Sequence, residues 1–514
     1  MLLISEIKLN IDEDEALLGK LIAKKLKCSK DDFSYRIIRK SLDARRELLF
    51  VYSLTVDIKN EEKYLHIKNV TKYGEPDLSV KPVITDIRPI IIGYGPSGIF
   101  SAVRLLEAGI KPIIFEKGKR IPERKKDIDN YFNNGIFNPD SNVQYGEGGA
   151  GTFSDAKLTT RVKNPFIKYI TDTFIRFGAD PSIAYVAHPH VGTDRIMDVI
   201  TKLTDYLIDN GAEFHFEEPV RKLEIKDNKV KAVITDKNTY PSDIVILASG
   251  HSSYELIKEL YEEGVYIEKK DMAVGFRVEH PQSLIDSVQY KNKKHPKLEP
   301  SEYFLRYNGD KGVYSFCMCP GGYVIPSNSK CNTIVTNGMS YHNRDNTLAN
   351  SAILIQVNKE EFSDNPLGGF DYLHNLESKA YEISGSYKAL SQNISDYLDN
   401  KVSKLKFESS YPLGTTVTDF NSFFNEKDNE IFKEAINYFE TCIPGFKDGI
   451  MVGPETRSSS PVRITRNENL ESLSTKGLYP TGEGSGYGGG IMSCALDGIR
   501  TANIIIEKLR SISV

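Results

Sequence analysis

At 514 residues and a formal charge of −4, the chain is too long for one core and too evenly charged to carry the footprint of a nucleic-acid or anionic-membrane binder. Hydrophobic residues make up 40% of it, enough for large cores, and a norm of roughly 100 to 200 residues per domain implies about three domains. Six scattered cysteines exclude the disulfide framework of a small secreted domain and fit a reducing cytoplasm, and the acidic start MLLISEIKLNIDEDE reads as neither signal peptide nor membrane span.

Residues 1–80 carry a strand-like ISEIKLNI, a helical EALLGKLIAKKLK and β-rich pieces such as ELLFVYSLTVDI, which predict a small N-terminal α/β module. Its basic residues Arg36, Arg39, Lys40, Arg45 and Arg46 read first as a solvated face, with a phosphate or a protein partner as the alternative. Residues 71–81, with Gly74 and Pro76, read as a linker.

The stretch 89–118, PIIIGYGPSGIFSAVRLLEAGIKPIIFEKG, predicts a buried strand, a glycine turn, a helix and a second strand ending in an acid. Gly93, Gly95 and Gly98 fill the pattern GxGxxG. In a dinucleotide site the first permits the turn, the second lets backbone approach a pyrophosphate, and the third allows close helix packing. Glu116 stands where an acid meets a ribose hydroxyl, and Pro96, Ser97 and Lys117 flank these positions. The basic run 117–126 reads as a solvated face or as phosphate neighbours.

Next comes 142–158, NVQYGEGGAGTFSDAKL, whose glycines cost conformational entropy unless backbone must approach a flat ligand or take positive φ. It predicts a second cofactor loop, contributing Gly148, Gly149, Ala150, Gly151 and Thr152. His188 and His190 lack further ligands at metal spacing, so no metal is expected, and they precede a helix over 195–211 capped by Asp194 or Thr193 at its start and Gly211 at its end. Residues 212–250 predict a β-meander from Val220 and a final buried strand ending at Ala248, Ser249 and Gly250.

Residues 256–440 mix strands with polar helices, such as one over 350–361, and predict an α+β substrate or cap domain. Within it Cys317 and Cys319 share one face of a strand, which buried packing explains more simply than a redox pair. Arg277 and His280 are candidates to hold an acidic substrate. Near the C-terminus, GLYPTGEGSGYGGGIMSCALDG predicts a strand ending at Gly482 and Glu483, then a helix entered through Gly489, Gly490, Ile491 and Met492. Its free N–H groups and partial positive charge suit the flavin edge that gains negative charge on reduction. The two glycine sites at opposite ends favour FAD over NAD, because so long a cofactor draws on both parts of a discontinuous domain.

The motifs GYGPSG, GEGGAGTFSD, HPHVGTD, GFRVEHPQ, CMCPGGYVIP, ETRSSSPVRI and TGEGSGYGGGIMSCALDG resemble those of uncharacterised bacterial FAD-dependent (NAD/FAD-utilising) dehydrogenases of the glutathione-reductase-type superfamily. One departure is Ala156, where the family pattern leads us to expect glycine. The resemblance implies a discontinuous Rossmann-like FAD-binding domain over 86–255 and 441–514, a cap domain over 256–440, and noncovalent FAD. It implies pyrophosphate contacts from Gly93, Gly95 and Gly98, ribose at Glu116, adenine at Val220, and the ribityl chain and ring between Gly482 and Met492, with Gly148–Thr152 on the reactive side.

The expected activity is therefore hydride transfer between flavin N5 and a small organic substrate. His188, His190, Arg277 and Arg457 are the candidate polar groups. A second GxGxxG and a CxxC near the first helix, marks of a pyridine-nucleotide disulfide reductase, are absent, so NAD(P)H would bind without its own Rossmann unit. The lack of tryptophan excludes a halogenase motif, while an amine oxidase stays open. The alternative is a redox-sensing flavoprotein whose N-terminal module docks a partner.

Overall fold

A computed structural model describes residues 1–512, which form a mixed α/β fold built on three main sheets. The N-terminal module is a four-stranded antiparallel sheet in the order Phe33–Asp43, Leu49–Ile58, Leu2–Asn10, Val70–Lys72. The helix Leu18–Leu26 buries Leu18, Ile22 and Leu26 at helical spacing against it. The module docks on the rest of the chain: the Tyr185 carbonyl accepts from the Lys40 backbone N–H at 2.7 Å, and Lys297 Nζ donates to the Ile11 carbonyl at 2.7 Å.

The central sheet is parallel, in the order Leu478–Pro480, Val245–Leu247, Ile90–Ile92, Ile113–Phe115, Glu213–His215. Alternation along three-residue strands divides its two faces. Ile91, Ile114, Ile246 and Tyr479 pack under the helices Pro96–Glu107, Thr193–Asp209 and Ile491–Ile512. On the other face Ile90, Ile92, Val245 and Leu247 meet Val220, Leu223, Val230 and Val233 of the antiparallel meander Val220–Lys226, Lys229–Thr235, Thr239–Pro241. The chain thus reaches its central sheet from both ends, with the strand Leu478–Pro480 returning beside Val245–Leu247.

The third sheet has seven strands, among them Gly312–Cys319, Leu348–Val357, Met272–Pro281 and Ile450–Glu455. The stretch 350–361, expected as a polar helix, is mostly the interior strand Leu348–Val357 of this sheet. The run Ala352, Ile353, Leu354, Ile355 is buried on both faces between two neighbouring strands, and β-branched residues there outweigh the flanking polar ones. Ile450–Glu455 also joins this sheet, although it lies past residue 440, where the cofactor domain was expected to resume.

The helix start at 193 is also built differently. Gly192, at φ 84°, is the N-cap with no side-chain cap bond; Thr193 Oγ donates to the Thr152 carbonyl and Asp194 Oδ1 accepts from the His342 N–H. Both side chains that the sequence offers as caps are spent on tethering this helix to neighbouring loops. Among the described residues no helix is long and apolar enough to cross a membrane.

Candidate functional site

One cleft opens at the carboxyl ends of the parallel strands and encloses about 1280 Å3, counting its open mouth. Strand ends Ile92 and Phe115, the turn Gly93–Ser97, and Ala248–Gly250 form its floor, and Glu483, Gly490 and Ile491 reach it from the far end of the chain.

The turn depends on two glycines for different reasons. Gly93 sits at φ 95°, and a Cβ there would lie 2.4 Å from the Ala248 carbonyl oxygen. A Cβ on Gly98 would lie 2.1 Å from the Gly93 carbonyl oxygen, so Gly98 packs the helix and does not line the cleft. Gly95 has an ordinary φ of −84°, and a Cβ there would make only an ordinary 3.8 Å contact with Gly149. Its glycine identity is therefore not demanded by the protein fold, and it faces the cleft where the first-turn N–H groups of Pro96–Glu107 lack intrahelical acceptors.

Glu116 is buried, and its carboxylate is the hub of the adjoining backbone. Oε2 accepts from the Tyr94 N–H at 3.0 Å, and Oε1 accepts from Gly118 and Gly146, both at 2.9 Å. A carboxylate has about four acceptor positions, so one remains for a ligand hydroxyl. Gly146 begins the glycine loop, which is wrapped around a cation. Arg124, 0% exposed, donates to the carbonyls of Asn142 (2.9 Å), Glu147 (2.6 Å), Val143 (3.0 Å) and Gly149 (3.0 Å). Burial pushes its guanidinium down to about 10, so it stays charged at neutral pH. The run 117–126, expected to be a solvated face or phosphate neighbours, thus contributes a fully buried cation around which the loop is wrapped, because helical spacing from Ile121 turns position 124 inward with Ile128.

The C-terminal half is set by Asp497. Its Oδ2 accepts from the Gly482 N–H and Thr481 Oγ, each at 2.9 Å, and Arg466 clamps both oxygens at 2.9 and 2.6 Å. This fixes the turn that aims Glu483 into the cleft, where Oε1 lies 3.2 Å from His251 Nδ1. His251 is 8% exposed, and its Nε2 has no hydrogen-bond partner among the described residues. A buried ring nitrogen left without a partner beside a cleft fits a site that a polar ligand or an ordered water completes. With the two helix N-termini and two acids, it is a donor set that fits the hydroxyl- and phosphate-rich middle of FAD.

Of the residues singled out from the sequence, Gly93, Gly95, Pro96, Ser97, Glu116, Lys117, Gly149, Ala150, Gly151, Val220, Ala248, Ser249, Gly250, Glu483, Gly490 and Ile491 line this cleft. Gly148 and Thr152 lie just behind it in a small apolar hollow with Ile196 and Ile200. Gly98, Gly482, Gly489 and Met492 are not among the lining: Gly482 packs its Cα against Ser97, Gly489 is exposed and Met492 is in the core. Tyr94, Gln144, Tyr145, Arg221, His251, Ser252 and Glu255 line it and were not anticipated. The available signal was the placement of His251 and Ser252 immediately after Gly250, at the end of a parallel strand.

None of the four candidate polar groups lines the cleft. Arg277, 0% exposed, spends its donors on Glu455 (2.6 and 3.0 Å), the Cys317 carbonyl (3.1 Å), Asn350 (2.8 Å) and Asn337 (3.0 Å), which leaves none for a substrate. His188 is exposed; His190 Nε2 donates to the His342 carbonyl at 3.0 Å, and burial holds its ring below the usual range. Arg457 is gripped by Glu377 at 2.6 and 2.8 Å, and its Nη1, 3.4 Å from Ser252 Oγ, brings it nearest to the lining. His280, the other cation suggested for an acidic substrate, is also buried and bonded to the Phe446 carbonyl.

Comparison with known proteins adds the following. Residues 271–458 match the family described as "FAD-dependent protein, C-terminal domain-like", and residues 1–59 match a domain of unknown function. A protein of Clostridium beijerinckii (strain ATCC 51743 / NCIMB 8052), described as "Uncharacterized protein", is 40% identical, with 98% of each chain covered. Among solved structures, L-amino acid deaminase from Proteus myxofaciens is 13% identical over 84% of this chain and 93% of its own, with a TM-score of 0.37. Glycine oxidase from Bacillus cereus ATCC 14579 is 12% identical over 82% and 95%, with a TM-score of 0.31. Structural likeness this slight carries no argument.

Proposed function

The chain belongs to the family of the C. beijerinckii protein and matches, over residues 271–458, the C-terminal domain of FAD-dependent proteins, and on that premise we propose an FAD-dependent oxidoreductase acting on a small organic substrate. FAD would lie noncovalently along the cleft, in a Rossmann-like domain of glutathione-reductase type drawn from both ends of the chain. The observation that carries this reading is the convergence of two helix N-termini, Glu116, Glu483 and the unpartnered His251 Nε2 on one cleft.

The residues divide the work by position. The backbone N–H groups of Gly95 and Ser97 would take the pyrophosphate, and the free acceptor position of Glu116 the adenosine ribose, with Val220 beside the adenine. Glu483 and His251 would hold the ribityl chain, with Gly490 and Ile491 presenting the last helix to the ring. When bound, FAD supplies hydride transfer at N5, and the protein supplies orientation and electrostatics. NAD(P)H would serve as a transient donor without a Rossmann unit of its own, and the setting would be cytoplasmic.

The partner-docking alternative loses much of its basic patch. Arg36 is paired with Glu75 at 2.7 Å, Lys40 with Glu15 at 2.6 Å and Arg45 with Asp43 at 2.6 Å. Anaerobic titration of the purified protein with NADH, NADPH and a panel of metabolites, with dithionite as the reference, tests the enzyme reading. Bleaching of the flavin by a nicotinamide or a metabolite is expected. A flavin that only dithionite reduces, in a protein that loses a bound partner when residues 1–80 are removed, contradicts it.

A further inference from the structure

The cysteine pair that simple packing was expected to explain sits on a bulge and not on a regular strand. Cys317 and Cys319 end the strand Gly312–Cys319, which pairs regularly with Leu348–Val357 as far as Phe316↔Ala352. The next pair is Cys319↔Asn350, so one extra residue is inserted between them. Cys317 takes the left-handed conformation at φ 45°, a cost that a thiol needed only for packing would avoid on a regular strand. The bulge folds the two cysteines onto each other: Cys319 Sγ donates to the Cys317 carbonyl at 3.3 Å.

The two thiols differ in surroundings. Cys317 is partly exposed, beside Phe316 at 38%, whereas Cys319 is fully buried beneath it. Two cations are fixed around the bulge. Arg277, locked by Glu455, donates to the Cys317 carbonyl, and Lys157 Nζ bonds the carbonyl of Met318 between the cysteines. The Cys319 thiol first, and then Arg277 and Lys157, hold the Cys317 thiol below its usual range against the effect of burial. Cys319 is held high, by its bond to Cys317 and by burial. Of the other cysteines, Cys331 and Cys442 are exposed, Cys28 is partly buried and Cys494 is buried far along the chain; none is paired in this way. Lys157 belongs to the same 142–158 segment that sends Gly149, Ala150 and Gly151 to the cleft, so the bulge is bonded to the segment that carries the glycine loop.

We propose that Cys317 and Cys319 form a thiol–disulfide exchange site, with Cys317 as nucleophile and Cys319 as resolving thiol, for a small-molecule disulfide. The Cys317 thiolate attacks one sulfur of the disulfide R–S–S–R, forming a mixed disulfide and expelling one thiolate, which takes a proton from solvent. Cys319 then releases its proton to solvent and attacks Cys317 Sγ. The protein disulfide forms, and the second thiolate leaves and is protonated. Two protein thiols are oxidised and one disulfide is reduced to two thiols, so the exchange balances without any other reagent and stands independently of the flavin reading.

The test uses the full chain carrying Cys331→Ser and Cys442→Ser, reduced, freed of reductant and treated with glutathione disulfide, with intact-mass and peptide-mass readout. The expected product is a loss of two hydrogens located as a Cys317–Cys319 bond, with two glutathione molecules released. Adding Cys319→Ser should stop the reaction as a glutathione adduct on Cys317, and adding Cys317→Ser should abolish both products. The proposal is overturned if the background protein keeps both thiols, or if the adduct in the Cys319→Ser variant is absent or sits elsewhere. The background measurement changes neither member of the pair, so it decides even where a pair variant does not fold.

Discussion

At the scale of single residues, burial decides which polar groups are available to a ligand. Arg277 and His280 looked equally available in the sequence, yet both are sealed inside the seven-stranded sheet region, while His251, unremarkable in the sequence, lines the cleft and keeps a buried ring nitrogen without a hydrogen-bond partner among the described residues. His280 makes a pH prediction. Its Nε2 donates to the Phe446 carbonyl at 2.7 Å, and burial pushes the ring down to about 4. The folded value lies below the unfolded one, so the stability it contributes is complete above about pH 6.5 and is lost as pH falls toward 4. The full difference corresponds to about 3 kcal/mol. Thermal melts at pH 7 and pH 4 on wild type and His280→Gln should show the variant losing less stability on acidification. Parallel losses would show that the ring does not titrate this way.

At the scale of elements, the cleft exists because two helices from opposite ends of the chain lie against each other. Ser97 Oγ donates to the Cys494 carbonyl at 2.9 Å and Ser101 Oγ to the Gly498 carbonyl at 3.0 Å. A Cβ on Gly498 would lie 2.2 Å from the Ser97 carbonyl oxygen, so this glycine sets how close the helices come. Gly498→Ala should therefore destabilise the fold by about 2 kcal/mol despite a better helix propensity, and weaken flavin retention without touching the cleft. Melting temperature and flavin content measure both effects, and a variant as stable and as yellow as wild type would refute the packing argument. Local signals made much of this legible: GxGxxG after an apolar strand, the meander, and the glycine-rich start of the last helix follow from short-range backbone chemistry. Arg124 was illegible because its four acceptors are carbonyls of a loop whose path the sequence pattern does not specify. The strand Leu348–Val357 was misread because a strand buried on both faces loses the alternation that identifies strands.

At the scale of the whole molecule, residues 92–256 and 483–494 supply the lining of one cleft, and the middle supplies a sheet whose strand Gly312–Cys319 is bonded to the glycine-loop segment through Lys157. The N-terminal module contributes nothing to the lining, which begins at Ile92. The central claim is that this cleft, and nothing else in the chain, holds FAD. Gly95→Ala tests it most directly, because the added methyl meets only an ordinary 3.8 Å contact within the protein and so falls on the ligand. Flavin released by denaturing the purified proteins should amount to one FAD per chain for wild type and little for Gly95→Ala, with unchanged melting of the two proteins stripped of flavin. Full FAD retention by Gly95→Ala, or a wild type that purifies colourless and takes up no added FAD, would contradict the account.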